Sequence, residues 1–91
     1  MEVQLVVADW CPQCPRAKAI WRMLSLEAAA TYAEVDISSA AGKKLVAQFH
    51  IKAVPSVIVN NTLCPEASRD VEQARAVLRK LGGGSTSSEG P

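Results

Sequence analysis

The sequence lacks an excess of charge of either sign: ten Lys plus Arg face nine Asp plus Glu, leaving +1 with the single His neutral. That is far from the basic surplus of an electrostatic nucleic-acid binder, and no nucleic-acid partner is expected. It also lacks an apolar run approaching the roughly 20 residues of a membrane span. The β-like runs are broken by Gln4, Pro55 and Asn60, so no membrane role is expected. Met1-Glu2-Val3 carries none of the basic opening and apolar middle of an export signal, and a cytoplasmic address is expected. Ninety-one residues leave no room for a second core, which would take roughly 50 more. Three cysteines are an odd number and too few for a disulfide scaffold. Two of them, spaced as a pair, point instead to metal or redox chemistry.

What is there suits a packed core, with 48% hydrophobic and 21% charged residues. Val3 to Ala8 is β-branched with one polar interruption, which predicts a central strand buried on both faces. From Cys14 to about Ala30, residues Ala17, Ile20, Trp21, Leu24 and Ala28 share one helical face. Tyr32 to Ile37 alternates Tyr32, Glu34 and Asp36 with Ala33, Val35 and Ile37, which predicts a second strand with one wetter face. Ser38 and Ser39 can cap a short helix whose stripe is Leu45, Val46 and Phe49.

Ser56 to Val59 reads as a third strand, and Asn60-Asn61 as a two-residue hairpin turn, because Asn tolerates positive φ. Thr62 to Cys64 then returns antiparallel. A last helix is expected from about Ser68 to Leu81, ended by Gly82 to Gly84. Residues 1–81 form one domain on this reading, and 82–91 a flexible Gly/Ser-rich tail. The order βαβ, helix, ββα predicts an α/β architecture, a four-stranded mixed sheet with three flanking helices.

Trp10-Cys11-Pro12-Gln13-Cys14-Pro15 lies where the first strand hands over to the first helix. The unpaired N–H groups and positive dipole end of a helix N-terminus favour a thiolate at Cys11 over the thiol. Pro12 suits a first helical turn, since its missing N–H would be unsatisfied there anyway. Pro15 is tolerated for the same reason. Two intervening residues let the sulfurs of Cys11 and Cys14 meet across that turn. Cys11, nearer solvent, would attack a substrate disulfide, and the more enclosed Cys14 would then attack Cys11 and release reduced substrate. Asp9 opposes a thiolate and Arg16 and Lys18 on the first helix favour it, and the sequence does not rank the two effects.

The strand, the C-P-Q-C-P-R-A-K-A helix opening and the later A-V-P-S-V-I-V together resemble the thioredoxin and glutaredoxin superfamily over most of residues 1–81. Cys-Pro-x-Cys followed by Arg16-Ala17-Lys18-Ala19 is similar to glutaredoxin, and Trp10 directly before Cys11 to thioredoxin. The chain thus resembles a small glutaredoxin-like thioredoxin, which implies the thioredoxin fold, βαβαββα. The resemblance implies catalytic Cys11 and Cys14, with Trp10, Pro12, Gln13, Val54 and Pro55 binding substrate. Val54-Pro55 corresponds to the family's cis-proline, whose loop faces the cysteine pair and whose preceding residue pairs its backbone with extended substrate.

A disulfide-bearing protein or small molecule is the implied substrate, with a thioredoxin-reductase-type or glutathione electron donor, no bound cofactor and a monomeric state. Two departures matter. Where glutaredoxins carry Gly-Gly and an acid to hold glutathione, this chain reads Leu63-Cys64-Pro65-Glu66-Ala67. Where thioredoxins place a buried acid in the strand before the active site, Leu5 to Ala8 are apolar, so proton handling at Cys14 would run through water.

The alternatives are a true glutathione-dependent glutaredoxin and a metal or iron–sulfur module in which Cys64 and His50 complete a set with Cys11 and Cys14. Position argues against the second, because this pair opens a long helix and the other candidates lie far off in sequence. Cys64 is otherwise expected as a small buried strand residue, or as a third redox thiol. His50 is expected as an exposed group at a helix end, Trp21 in the core, and Trp10 beside the active-site turn.

Overall fold

The computed structural model describes residues 1–64, 67 and 70–83. Its strands are β1 (Glu2–Val7), β2 (Thr31–Asp36), β3 (Ser56–Val59) and β4 (Thr62–Cys64), and its helices α1 (Cys14–Glu27), α2 (Ala40–Phe49) and α3 (Val71–Leu78). The sheet order is β2-β1-β3-β4, with β1 parallel to β2 and the other pairs antiparallel. β1 is therefore central, as its apolar composition demands. With helices on both faces, this is the thioredoxin fold.

Side-chain parity sorts the core into two layers. Val3, Leu5 and Val7 of β1, Val57 and Val59 of β3, and Cys64 of β4 meet Ala17, Trp21 and Leu24 of α1 and Ala74 and Leu78 of α3. On the opposite face Val6 and Ile58 join Ile51, with Leu45, Val46 and Phe49 of α2 packed over them. Trp21 and Leu5 are fully buried, and each such apolar side chain contributes roughly 1.5–3 kcal/mol.

Several boundaries differ from expectation for identifiable reasons. β1 stops at Val7, because Ala8 turns to accept the Cys11 N–H at 3.2 Å. α1 ends at Glu27 rather than Ala30. There Ala29 takes φ 53°, its N–H donates to Leu26 and that of Ala30 to Ser25, the Schellman closure of a helix. α3 begins at Val71, because extended Asp70 caps it by accepting from the Glu72 and Gln73 N–H groups; Ser68 lies outside the described residues. Past α3 the helical path continues over Arg79–Gly83 in a wider π turn, which takes in Gly82 and Gly83. The expected tail from 84 onward lies outside the described residues.

The Asn60-Asn61 hairpin is as expected, with φ of 50° and 64°. Asn60 also ties three segments together. Its Oδ1 accepts from the Glu2 N–H at 2.9 Å and its Nδ2 donates to the Leu81 carbonyl at 3.2 Å.

The wetter face expected of β2 is partly covered instead. Arg22 of α1 reaches over it to form a two-pronged ion pair with Glu34, at 2.7 and 3.0 Å, and Tyr32 donates its hydroxyl to the same carboxylate at 2.8 Å. Tyr32 and Glu34 are half-buried there, as is Asp36 beside Ser38, while Ala33 is exposed.

Candidate active site

Parallel β1 and β2 finish at the same end of the sheet, with Val7 in register with Asp36, and antiparallel β3 begins there, with Ser56 opposite Val6. Four residues beyond Val7 comes Cys11. Two tight turns carry the chain from strand to helix: the Cys11 N–H reaches the Ala8 carbonyl at 3.2 Å, and the Cys14 N–H reaches the Cys11 carbonyl at 3.4 Å. Helical geometry starts only at Cys14, with Gln13 as a cap whose side chain makes no capping bond. Pro12 therefore sits in the turn ahead of the helix and not in its first turn. Pro15 takes the tolerated proline slot instead.

Cys11 and Cys14 are joined by a disulfide, their Cα atoms 5.5 Å apart, inside the usual span for such a bond. Cys11 keeps 6% of its surface exposed and Cys14 2%. Cys14 is the more enclosed, as expected, yet Cys11 is itself largely covered. Its neighbours are not: Pro12 and Gln13 are exposed, and Trp10 is 73% exposed. The disulfide thus lies just beneath a surface turn with a large open indole at its edge.

Of the other residues tied to this site by resemblance, Val54 is half-buried and packs against the core cluster that contains both cysteines, and Pro55 is buried. The Val54-Pro55 peptide bond is cis. The first turn of α1 contains no acidic residue, while Asp9 is exposed in the preceding turn. Lys18 lies toward β2, where its charge adds to the Ser38 hydrogen bonds that lower the Asp36 carboxyl and to the Arg22 and Tyr32 hydrogen bonds that lower that of Glu34.

Ala67 is a participant that the sequence did not signal. It is fully buried, shares a cluster with Cys11 and Cys14, and its carbonyl accepts the indole N–H of Trp21 at 3.1 Å. A lone small residue outside any apolar run has no periodicity to reveal it. Cys64 is buried at the end of β4 in the same cluster. His50 is exposed, ending α2 with φ 55°. Among the described residues no three His, Cys, Asp or Glu side chains converge to hold a metal ion. Open concavities elsewhere, such as one of about 190 Å³ between α1 and α3 lined by Leu24, Glu27, Ala28, Arg75, Leu78 and Arg79, are away from the cysteine pair.

A sequence model of the glutaredoxin family matches residues 3–64, from β1 through β4. The chain belongs to the glutaredoxin family. This glutaredoxin-family chain is also 26% identical over 82 residues to a probable thioredoxin of Archaeoglobus fulgidus, covering 90% of each. Its fold is similar to that of thioredoxin f2 of Chlamydomonas reinhardtii, with a TM-score of 0.71 at 19% identity, over 90% of this chain and 79% of that one. It is likewise similar to oxidised thioredoxin O2 of Arabidopsis thaliana, with a TM-score of 0.69 at 21% identity, over 88% and 73%.

Proposed function

We propose that the protein is a thiol-disulfide oxidoreductase that reduces disulfides by dithiol exchange through Cys11 and Cys14. The observation that carries this is the disulfide joining the two cysteines across the turn into α1, at the end of the central strand. In the reduced protein the Cys11 thiolate attacks one sulfur of the substrate disulfide. The substrate S–S bond breaks, a mixed disulfide forms, and the other substrate sulfur leaves and takes up a proton. Cys14 then gives up its proton and attacks the Cys11 sulfur, releasing the second substrate thiol. One substrate disulfide is reduced, and two cysteine thiols are oxidised to the Cys11–Cys14 bond. A dithiol donor returns the two electrons.

Trp10, Pro12, Gln13, Val54 and Pro55 form the substrate-docking surface on this reading. The exposure of Trp10, Pro12 and Gln13 around the covered sulfurs supports it, as does the cis bond at Val54-Pro55. The donor is a protein dithiol of the thioredoxin-reductase type. Support comes from the chain after β4, which lacks a Gly-Gly-acid motif and buries Ala67 in the core beside the cysteines. A cytoplasmic monomer is part of this reading, since thiols are most readily kept reduced in that compartment.

The test is turnover of a disulfide substrate with each donor system separately, thioredoxin reductase with its nicotinamide cofactor or glutathione with its own reductase. Turnover with the first alone is expected. Turnover with glutathione alone would reverse the donor assignment, and none with either would contradict the activity.

A further inference from the structure

The charges of this nearly neutral chain are unevenly spread. Between Ile37 and Cys64 stand Lys43, Lys44 and Lys52, and no aspartate or glutamate. All three lysines are exposed, and none has a carboxylate partner among the described residues.

Topology sets these cations on a stretch that leaves from and returns to the cysteine end of the sheet, with α2 on the face opposite α1. The stretch that carries them is fastened at both ends to the end of the sheet where Cys11 sits. At one end Ile37 donates to the Val7 carbonyl at 2.8 Å. At the other, Ser56 pairs with Val6 just after the Val54-Pro55 bond. Lys43 and Lys44 fall in the first half of α2, within about 8 Å of its start along the axis, and Lys52 is two residues ahead of Val54. Among the described residues the acids at this end are Asp36, which already accepts from the Ser38 hydroxyl and backbone N–H, Asp9, exposed beside Trp10, and, at the start of α3 beyond β4, Asp70, which caps that helix, with Glu72. None of them stands in the stretch that carries the three lysines.

We infer that Lys43, Lys44 and Lys52 form an electrostatic docking rim for acidic protein segments, so that disulfides flanked by Asp and Glu are exchanged in preference to those flanked by Lys and Arg. The inference rests on the disulfide-exchange reading and adds the substrate class. Exposed charges of this kind contribute little affinity each. They act on encounter, raising association with an oppositely charged partner and lowering it with a like-charged one.

The test mixes pre-reduced protein with either of two synthetic cystine peptides that differ only in their flanking charges, and follows oxidation of the protein in a single turnover. In about 10 mM salt, where the Debye length is about 30 Å, the acidic peptide should react about tenfold faster than the basic one. In about 1 M salt, where that length is about 3 Å, the difference should collapse. The triple variant Lys43→Gln/Lys44→Gln/Lys52→Gln should abolish the preference, and Lys43→Glu/Lys44→Glu/Lys52→Glu should invert it. Lys80→Glu should reduce it much less than the triple variants do, because the adjacent Leu81 is tied to Asn60 at the opposite end of the sheet. Equal rates, a faster basic peptide or a preference that survives the triple variants would overturn the inference while leaving disulfide exchange standing. No oxidation by either peptide would overturn both.

Discussion

The indole N–H of Trp21 donates to the carbonyl oxygen of Ala67 at 3.1 Å, a bond between residues 46 positions apart that fastens α1 to the chain following β4. Both residues are fully buried, so the bond is shielded from water and its loss leaves a carbonyl unpaired. Trp21→Phe should lower stability by about 1–3 kcal/mol, combining that unpaired acceptor with a small cavity. Trp10→Phe, at the exposed indole, should change it by no more than about 0.5 kcal/mol. Urea unfolding midpoints of the two variants check the contrast, and equal losses would contradict the assignment of one indole to the core and the other to the surface.

Ala29 closes α1 in the left-handed region, at φ 53°. A Cβ there costs roughly 1–2 kcal/mol relative to an unstrained residue, and glycine removes the clash. Ala29→Gly should therefore stabilise the protein by about 1 kcal/mol, and Ala29→Val should destabilise it. Thermal midpoints measured at one pH decide the sign.

Gly42 in the first turn of α2 lies against the end of β2, and a Cβ at this position would run into the backbone carbonyl of Asp36. The neighbour is backbone and cannot swing away, so α2 would have to shift. Gly42→Ala should cost about 1–3 kcal/mol despite the better helix propensity of alanine. A stability gain in urea unfolding would contradict the close approach.

Tyr32 is the single tyrosine of the chain, so its ionisation can be followed by phenolate absorbance without ambiguity. Burial, and then its hydrogen bond to the Glu34 carboxylate, push its pKa well above the ordinary phenol value. Stability linked to this group is fully present below the unfolded pKa, about 10, and is lost as pH rises through the folded pKa. The folded protein should form phenolate only at higher pH than the urea-unfolded chain, and Glu34→Gln should bring the titration down.

The Glu34 carboxyl itself moves the other way. Its partial burial alone would raise it, but the hydrogen bonds from Arg22 and Tyr32 and the neighbouring positive charge bring it below its ordinary value. Its contribution is present above the unfolded carboxylate range near 4.3 and fades as pH falls through the lower folded pKa. Glu34→Gln should accordingly flatten the acid side of the stability curve.

The parts of this fold written in local chemistry were legible in the sequence. Asn60-Asn61 announced a turn needing positive φ, Ser39 announced the cap of α2, and Cys11-Pro12-Gln13-Cys14 announced the pair where β1 meets α1. Features set by distant neighbours were not. Ala28-Ala29-Ala30 has every local reason to remain helical, yet α1 stops because Thr31 must join the sheet, where its N–H bonds the Met1 carbonyl at 2.9 Å. The polar residues of β2 signalled water, and the partial covering of Glu34 depends on Arg22 arriving from α1. Pro12 looked like a helical residue because proline suits a first turn, but the helix opens two positions later.

The most direct test of the proposed chemistry is the thiol count of the denatured protein, by mass-shift alkylation, before and after the native reduced protein meets a disulfide peptide. The account predicts a fall from three labels to one, the survivor on Cys64, matched by release of two peptide thiols and abolished by Cys11→Ser. Three labels retained after exposure, or peptide reduction undiminished in Cys11→Ser, would contradict it.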